Sequence, residues 1–142
     1  MATELSAESL RLVLDTNVLV AAAFRPHGAA AAIVARARAG ELLVVWNAAT
    51  RRESERIVRR IPPIAASRVL EVFMPAGELT EVVDESAFRF ISDPDDRKFA
   101  ALACATQATL LTQDAHLLSE RERLSCRVMT PHECDRHLRH AC

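Results

Sequence analysis

With 142 residues and one residue in two apolar, the chain is long enough for one ordinary domain built on a single core. A net charge of −1 excludes a uniformly basic nucleic-acid binder, and a content of only three glycines excludes a fibrous or low-complexity chain. No charged-then-apolar leader opens the sequence and no apolar run approaches the ~20 residues of a membrane span, so a cytoplasmic protein with no membrane partner is expected.

Residues 1–10 read as a polar, loosely ordered lead-in and residues 11–142 as the domain. Leu12–Leu14 is an expected first strand, followed by a loop through Arg25-Pro26-His27-Gly28. Ala29–Arg38 has the composition of a helix, stopped by Gly40. Leu42–Trp46 is a short apolar run of strand type, and Ala48–Arg60 an Arg/Glu-rich helix ended by Pro62-Pro63. A helix is expected over Ala65–Phe73, closed by Pro75 and Gly77, and Thr80–Val83 is a β-branched strand candidate. Helical spacing returns over Asp96–Gln107, Thr109–Thr112 is strand-like, Ala115–Arg123 is mostly helical and Cys126–Met129 is a last strand. Thr130-Pro131-His132-Glu133 combines a capping box with Pro at the first helical position, the start of a final helix. Short apolar strands alternating with helices imply one α/β domain with a parallel sheet covered on both faces.

The four cysteines, Cys104, Cys126, Cys134 and Cys142, form no C-x-x-C pair, and no disulfide framework is expected. Cys104 falls in an Ala-rich helical pattern and reads as a small buried hydrophobe.

The carboxylates carry the chemistry. Asp15 interrupts the apolar run Leu12–Val20, and an ionised carboxylate taken out of water costs several kcal/mol unless a cation compensates it. Ligands of open parallel sheets gather beyond the carboxyl ends of the strands, where Asp15 follows strand one and Asp114 follows Thr109–Thr112. In the Ala48–Arg60 helix, Ala49, Glu53 and Ile57 fall on one line, so Glu53 shares the apolar face. Glu55 lies elsewhere, four residues from both Arg51 and Arg59, where a solvated ion pair explains it. Asp96 opens a helix whose apolar line runs through Phe99, Ala100 and Ala103, although any aspartate of Asp93-Pro94-Asp95-Asp96 could cap that helix. Four carboxylates in one cleft require a counter-charge, and all-oxygen ligation suits Mg²⁺ or Mn²⁺ rather than zinc. Such ions activate water and neutralise charge on a phosphoryl group, so phosphodiester hydrolysis fits.

Leu14-Asp15-Thr16-Asn17-Val18-Leu19-Val20, Glu53 before Ile57-Val58, Asp93-Pro94-Asp95-Asp96-Arg97-Lys98-Phe99-Ala100-Ala101-Leu102-Ala103 and Leu111-Thr112-Gln113-Asp114 resemble, in order, the four signature blocks of PIN domains. VapC-type toxins of toxin–antitoxin operons are among the look-alikes, and the resemblance runs from about Leu12 to about Glu133. It implies a three-layer α/β/α sandwich around a parallel sheet of about five strands. It also implies a Mg²⁺- or Mn²⁺-dependent endoribonuclease that cleaves single-stranded RNA, the toxin component of a toxin–antitoxin pair. Carried over by position, Asp15, Glu53, Asp96 and Asp114 form the catalytic, metal-binding set. Asn17 and Thr112 orient a ligand or water beside it, and Asp93 is a supporting carboxylate. The implied partners are the RNA substrate, a small inhibitory antitoxin and a second copy of the chain as homodimer. Two departures stand out: Ala105-Thr106-Gln107-Ala108 where the look-alikes carry a Gly at the helix turn, and Asn47-Ala48-Ala49 where they carry a Pro after strand two.

Arg51, Arg52, Arg56, Arg59 and Arg60 cluster on the helix of Glu53, Arg97-Lys98 flank Asp96, and Arg25 and His27 follow the Asp15 strand. RNA binding needs cations along the phosphate path, which makes Arg25, Arg52, Arg56, Arg97 and Lys98 candidate contacts. A solvated helix face paired with Glu41, Glu53 or Glu55 explains the arginine cluster equally well. Aromatic residues are only 4% and Tyr is absent, so stacking platforms are scarce. Cys134, His137 and His140 are three apart but match no standard zinc module, and a frayed polar tail is the simpler reading.

Two other classes are disfavoured. An aspartyl-phosphate phosphotransferase wants a second acid two residues after the first, where Asn17 stands. A receiver-type switch wants a Lys near the last strand, and Cys126–Met129 has none beside it. The remaining alternatives are an RNA-processing nuclease of the same fold without an antitoxin, and a catalytically silent binding module.

Overall fold

The computed structural model describes residues 10–140, so the lead-in expected over residues 1–10 lies, apart from Leu10, outside the described residues. The chain runs β1 (Arg11–Leu14), α1 (Thr16–Phe24), α2 (Ala29–Arg38), β2 (Leu43–Val44), α3 (Ala48–Val58) and α4 (Pro63–Leu70). It continues with α5 (Pro94–Thr106), β3 (Thr109–Leu111), α6 (Ala115–Ser119), β4 (Val128–Met129) and α7 (Pro131–His140). Single 3-10 turns sit at Pro75–Gly77, Ser86–Phe88 and Arg121–Arg123. Among the described residues no single helix is long and apolar enough to cross a membrane.

The sheet is parallel throughout, in the order β2-β1-β3-β4. Successive side chains of a strand point to opposite faces, and that alternation divides the core in two. Leu12, Leu14 and Leu111 enter one half with Val18 and Leu19 of α1, Ile33 and Val34 of α2, Val69 of α4 and Leu138 of α7. Val13 and Leu110 enter the other with Phe99 and Leu102 of α5 and Leu117 of α6. The result is the expected three-layer α/β/α sandwich.

Among the described residues the sheet has four strands, not about five, and the physical reason lies at its edge. The Thr80–Val83 candidate joins no ladder, and Val82 is 99% exposed. Pairing beyond β2 shrinks to one bridge between Trp46 and Glu78. There the Trp46 N–H donates to the Gly77 carbonyl at 2.9 Å and the Leu79 N–H to the Trp46 carbonyl at 2.8 Å. The indole Nε1 of Trp46 also donates to the Met74 carbonyl at 2.8 Å. The turn presses so closely on β2 that a Cβ on Gly77 would lie 1.8 Å from the Val44 carbonyl oxygen.

A second difference is α1, nine residues of helix that start directly after Asp15, where no helix was expected. Thr16–Phe24 is apolar almost all round, so it carries no periodic face to read.

The two sequence departures find local explanations. Gln107 occupies the turn after α5 with φ 57°, a left-handed conformation that suits glycine and costs other residues roughly 1–2 kcal/mol. Gln107→Gly is expected to stabilise the protein by about 0.5–1 kcal/mol, allowing for the added freedom of the unfolded chain, as read by urea unfolding. Asn47 caps α3: its side chain accepts from the Thr50 N–H at 2.9 Å, and Thr50 Oγ1 accepts from the Asn47 N–H at 3.1 Å.

Candidate functional site

From β1 the chain moves outward to β2, then returns across β1 to lay down β3, so the strand order reverses between β1 and β3. Loops that leave adjacent strands in opposite senses open a crevice past their carboxyl ends, the place where parallel sheets collect ligands. The register pairs Leu14 with Leu111, which brings the residues that follow, Asp15 and Thr112, side by side.

Asp15 is 4% exposed and Thr112 is fully buried. Thr112 Oγ1 donates to Asp15 Oδ2 at 2.8 Å and accepts from the Asp114 N–H at 3.0 Å, so one hydroxyl sets both acids. Asp114 caps α6, its Oδ1 accepting from the His116 N–H at 2.8 Å and the Leu117 N–H at 3.3 Å. Asp96, in the first turn of α5, is 8% exposed and turned toward the same crevice, while Asp93 is the exposed cap, accepting from the Asp95 N–H at 2.9 Å. Of Asp93, Asp95 and Asp96, the first two are exposed and Asp96 is buried.

The electrostatics show a shortage of positive charge. Burial pushes the Asp15 carboxyl above the usual carboxylate range, the Thr112 hydrogen bond pulls it back, and Asp114 and Glu53 raise it again. Asp96 is pushed up to about 7, first by burial, then by the charges of Asp15, Asp114 and Asp93, and by a hydrogen-bonding interaction with Asp114. No cation figures among the causes at either group.

Glu53 differs. The buried line of α3 is Thr50, Ser54 and Val58, one residue on from the Ala49–Glu53–Ile57 line expected, because the capping box at Asn47 sets the phase of the helix. Glu53 stays near the site, its side chain 14% exposed, but its partner is Lys98, with Nζ to Oε1 at 2.5 Å. Lys98 also lies 3.6 Å from Asp95, and its ammonium is held above its usual range by Glu53 and Asp95 against the opposing effect of burial. A buried hydroxyl pair, Thr16 Oγ1 to Ser54 Oγ at 2.9 Å, ties the start of α1 to α3 beside Glu53. Sequence reasoning missed Thr16, Ser54 and the Lys98–Glu53 pair. The signal for Ser54 was a small polar residue four positions from Thr50 and Val58; the Lys98 contact, spanning residues 53 to 98, left none.

The remaining candidates are spread around this centre. Asn17 is exposed and lines a cavity with Asp114. Arg97 holds the preceding loop, donating from Nε to the Ile91 carbonyl at 2.9 Å and from Nη2 to the Arg89 carbonyl at 3.2 Å. Arg51 lies over the Trp46 ring at 5.0 Å, and it and Arg59 pair with Glu55 at 3.4 and 3.5 Å, as the spacing implied. Arg25, Arg52 and Arg56 are exposed. Cys134 faces the core, and Cys104, half-buried rather than buried, sits 3.1 Å from the Sγ of Cys126, whose thiol burial pushes up to about 12.

With Asp114 engaged in capping and Glu53 paired to Lys98, no three Asp, Glu, His or Cys side chains among the described residues are grouped closely enough to hold an ion as they stand. The backbone positions and the donor chemistry are another matter. Three hard oxygen donors come from adjacent strand ends and a facing helix, and Asp96 is raised by burial first and then by the neighbouring charges of Asp15, Asp114 and Asp93. Those residues fit a hard divalent cation.

Residues 11–116 match the PIN domain family. The chain is a PIN domain. PIN domains are in general nucleases that use divalent metal ions, and PIN nucleases act on RNA. No curated protein and no solved structure matches the chain. Within this PIN domain, Thr112→Val removes the hydroxyl that orients both acids and is expected to weaken Mn²⁺ binding by about 10- to 100-fold in calorimetric titration.

Proposed function

We propose that this PIN domain is a Mg²⁺- or Mn²⁺-dependent endoribonuclease that cleaves single-stranded RNA, acting in the cytoplasm as the toxin of a toxin–antitoxin pair. The observation that carries the nuclease reading is the convergence of Asp15, Asp96 and Asp114 on the β1/β3 crevice with no cation to balance them. In this reading Asp15, Asp96 and Asp114 hold the metal. When bound, the ion supplies Lewis acidity, lowering the pKa of water and stabilising the charge that builds on the phosphoryl group. Thr112 keeps Asp15 and Asp114 in register for that task. Glu53, held by Lys98 at the edge of the crevice, helps orient the attacking water. Asn17 lies on the open side, beside Asp114, where substrate enters.

The test is cleavage of single-stranded RNA by purified protein with Mn²⁺, with Mg²⁺ and with EDTA. Cleavage that needs the ion is the expected result; cleavage that persists in EDTA overturns the mechanism. The toxin role and the antitoxin partner rest on the family resemblance. They predict growth arrest on expression, relieved by co-expression of a small protein from a neighbouring reading frame.

A further inference from the structure

Two cavities on the open side of the crevice, of about 410 and 290 Å³, share Ala21, Arg25 and Gln113 and so form one groove. At one end the groove is lined by Asn17 and Asp114, at the other by Thr130 and His132. Phe24, the last residue of α1, lines the stretch nearer Asp114 and is 61% exposed. A single exposed aromatic needs no explanation by itself. This one stands in a concave, ligand-sized groove that leads away from the acidic cluster. Arg25 and His132 line the same groove and have no ion-pair partner among the described residues. A flat apolar ring with unpaired cationic and hydrogen-bonding groups beside it is complementary to a base with its flanking phosphates.

We propose that this groove binds the nucleotide adjoining the scissile phosphate, with its base stacked on Phe24 and its backbone phosphate met by Arg25 and His132. The inference rests on the RNA-nuclease reading and deepens it: a stacked, splayed base is available in a single strand and not in a duplex. Gln113, on the shared wall, offers an amide to the sugar or base edge.

The test uses the full chain with a fluorescein-labelled single-stranded RNA oligonucleotide, read both as anisotropy in EDTA and as Mn²⁺-dependent cleavage. Phe24→Ala and Arg25→Ala are each expected to raise Kd and KM by about tenfold with kcat little changed, since stacking is worth several-fold to over a hundredfold in affinity per base. Phe24→Tyr keeps the ring and is expected to bind as the parent does. Unchanged Kd in Phe24→Ala overturns the subsite while leaving the nuclease reading intact, as does a loss in Phe24→Tyr equal to that in Phe24→Ala. Duplex RNA bound as tightly as the single strand also overturns it. Binding that shows the expected pattern without any cleavage overturns the nuclease reading and keeps the groove as an RNA site; neither binding nor cleavage overturns both.

Discussion

Asp15→Asn is expected to lower Mn²⁺-dependent RNA cleavage by at least about 10²–10³-fold while raising the melting temperature of the metal-free protein. Both halves follow from one charge. The amide keeps the shape of the carboxylate and still accepts from Thr112 Oγ1, so the buried junction of β1 and β3 remains intact. On the proposed assignment it no longer supplies a charged ligand, and a hard cation loses affinity with each charge removed. The same loss relieves Asp96, whose second-largest disturbance is the Asp15 charge. At pH 8, where Asp96 must be ionised, the substitution is expected to gain about 3–6 °C in a thermal melt with EDTA. A variant that loses activity by misfolding would melt lower, so a fall in both quantities counts against the assignment. Asp96→Asn is expected to act in the same two directions.

Stability of the metal-free protein is expected to fall between about pH 4 and pH 7 and to recover on addition of Mn²⁺. An unfolded Asp96 ionises near 3.8, and the folded one near 7, so across that window the folded state holds a proton that the unfolded state has released. Stability therefore declines as pH rises through the window and levels off above it, by at most on the order of 4 kcal/mol. Asp15 is raised and acts in the same direction. On the proposed assignment a divalent ion binds only the folded, deprotonated cluster, so its stabilisation is expected to be larger at pH 8 than at pH 5. Thermal melts at the two pH values, with EDTA and with Mn²⁺, read all four corners. A metal-free melting temperature that climbs from pH 5 to pH 8, or a Mn²⁺ effect equal at both, contradicts the account.

The parts of this arrangement that were legible in the sequence are those a short window can carry. Asp15 after an apolar strand, Asp114 after Thr109–Thr112 and the Thr130–Glu133 helix start each lie within a few residues of their cause. The parts that were not legible depend on phase or distance. The face of α3 turned by one residue because Asn47 and Thr50 fix its first turn. Helix α1 was hidden by its own uniformity, since a segment apolar almost all round shows no stripe whichever face it buries. The fifth strand failed at a matter of partner geometry: Thr80–Val83 has the β-branched composition of a strand, but the turn at Gly77 leaves it only the Trp46 bridge to extend. The pairing of Glu53 with Lys98 is purely tertiary, made where α3 and α5 come together.

The sheet's outer members are also its shortest. β2 and β4 contain two residues each, and past β2 pairing among the described residues continues only as the single Trp46–Glu78 bridge, just after the Pro75–Gly77 turn. A long open edge is a template on which other chains add strands, and proteins commonly guard against it by cutting edge strands short or covering them. Here the strands that carry the acids, β1 and β3, are both interior, and the rims offer too little free backbone to recruit a neighbour. Among the described residues, edges this short are expected to recruit neighbouring chains poorly, which leaves the crevice between β1 and β3 away from any contact made along the sheet.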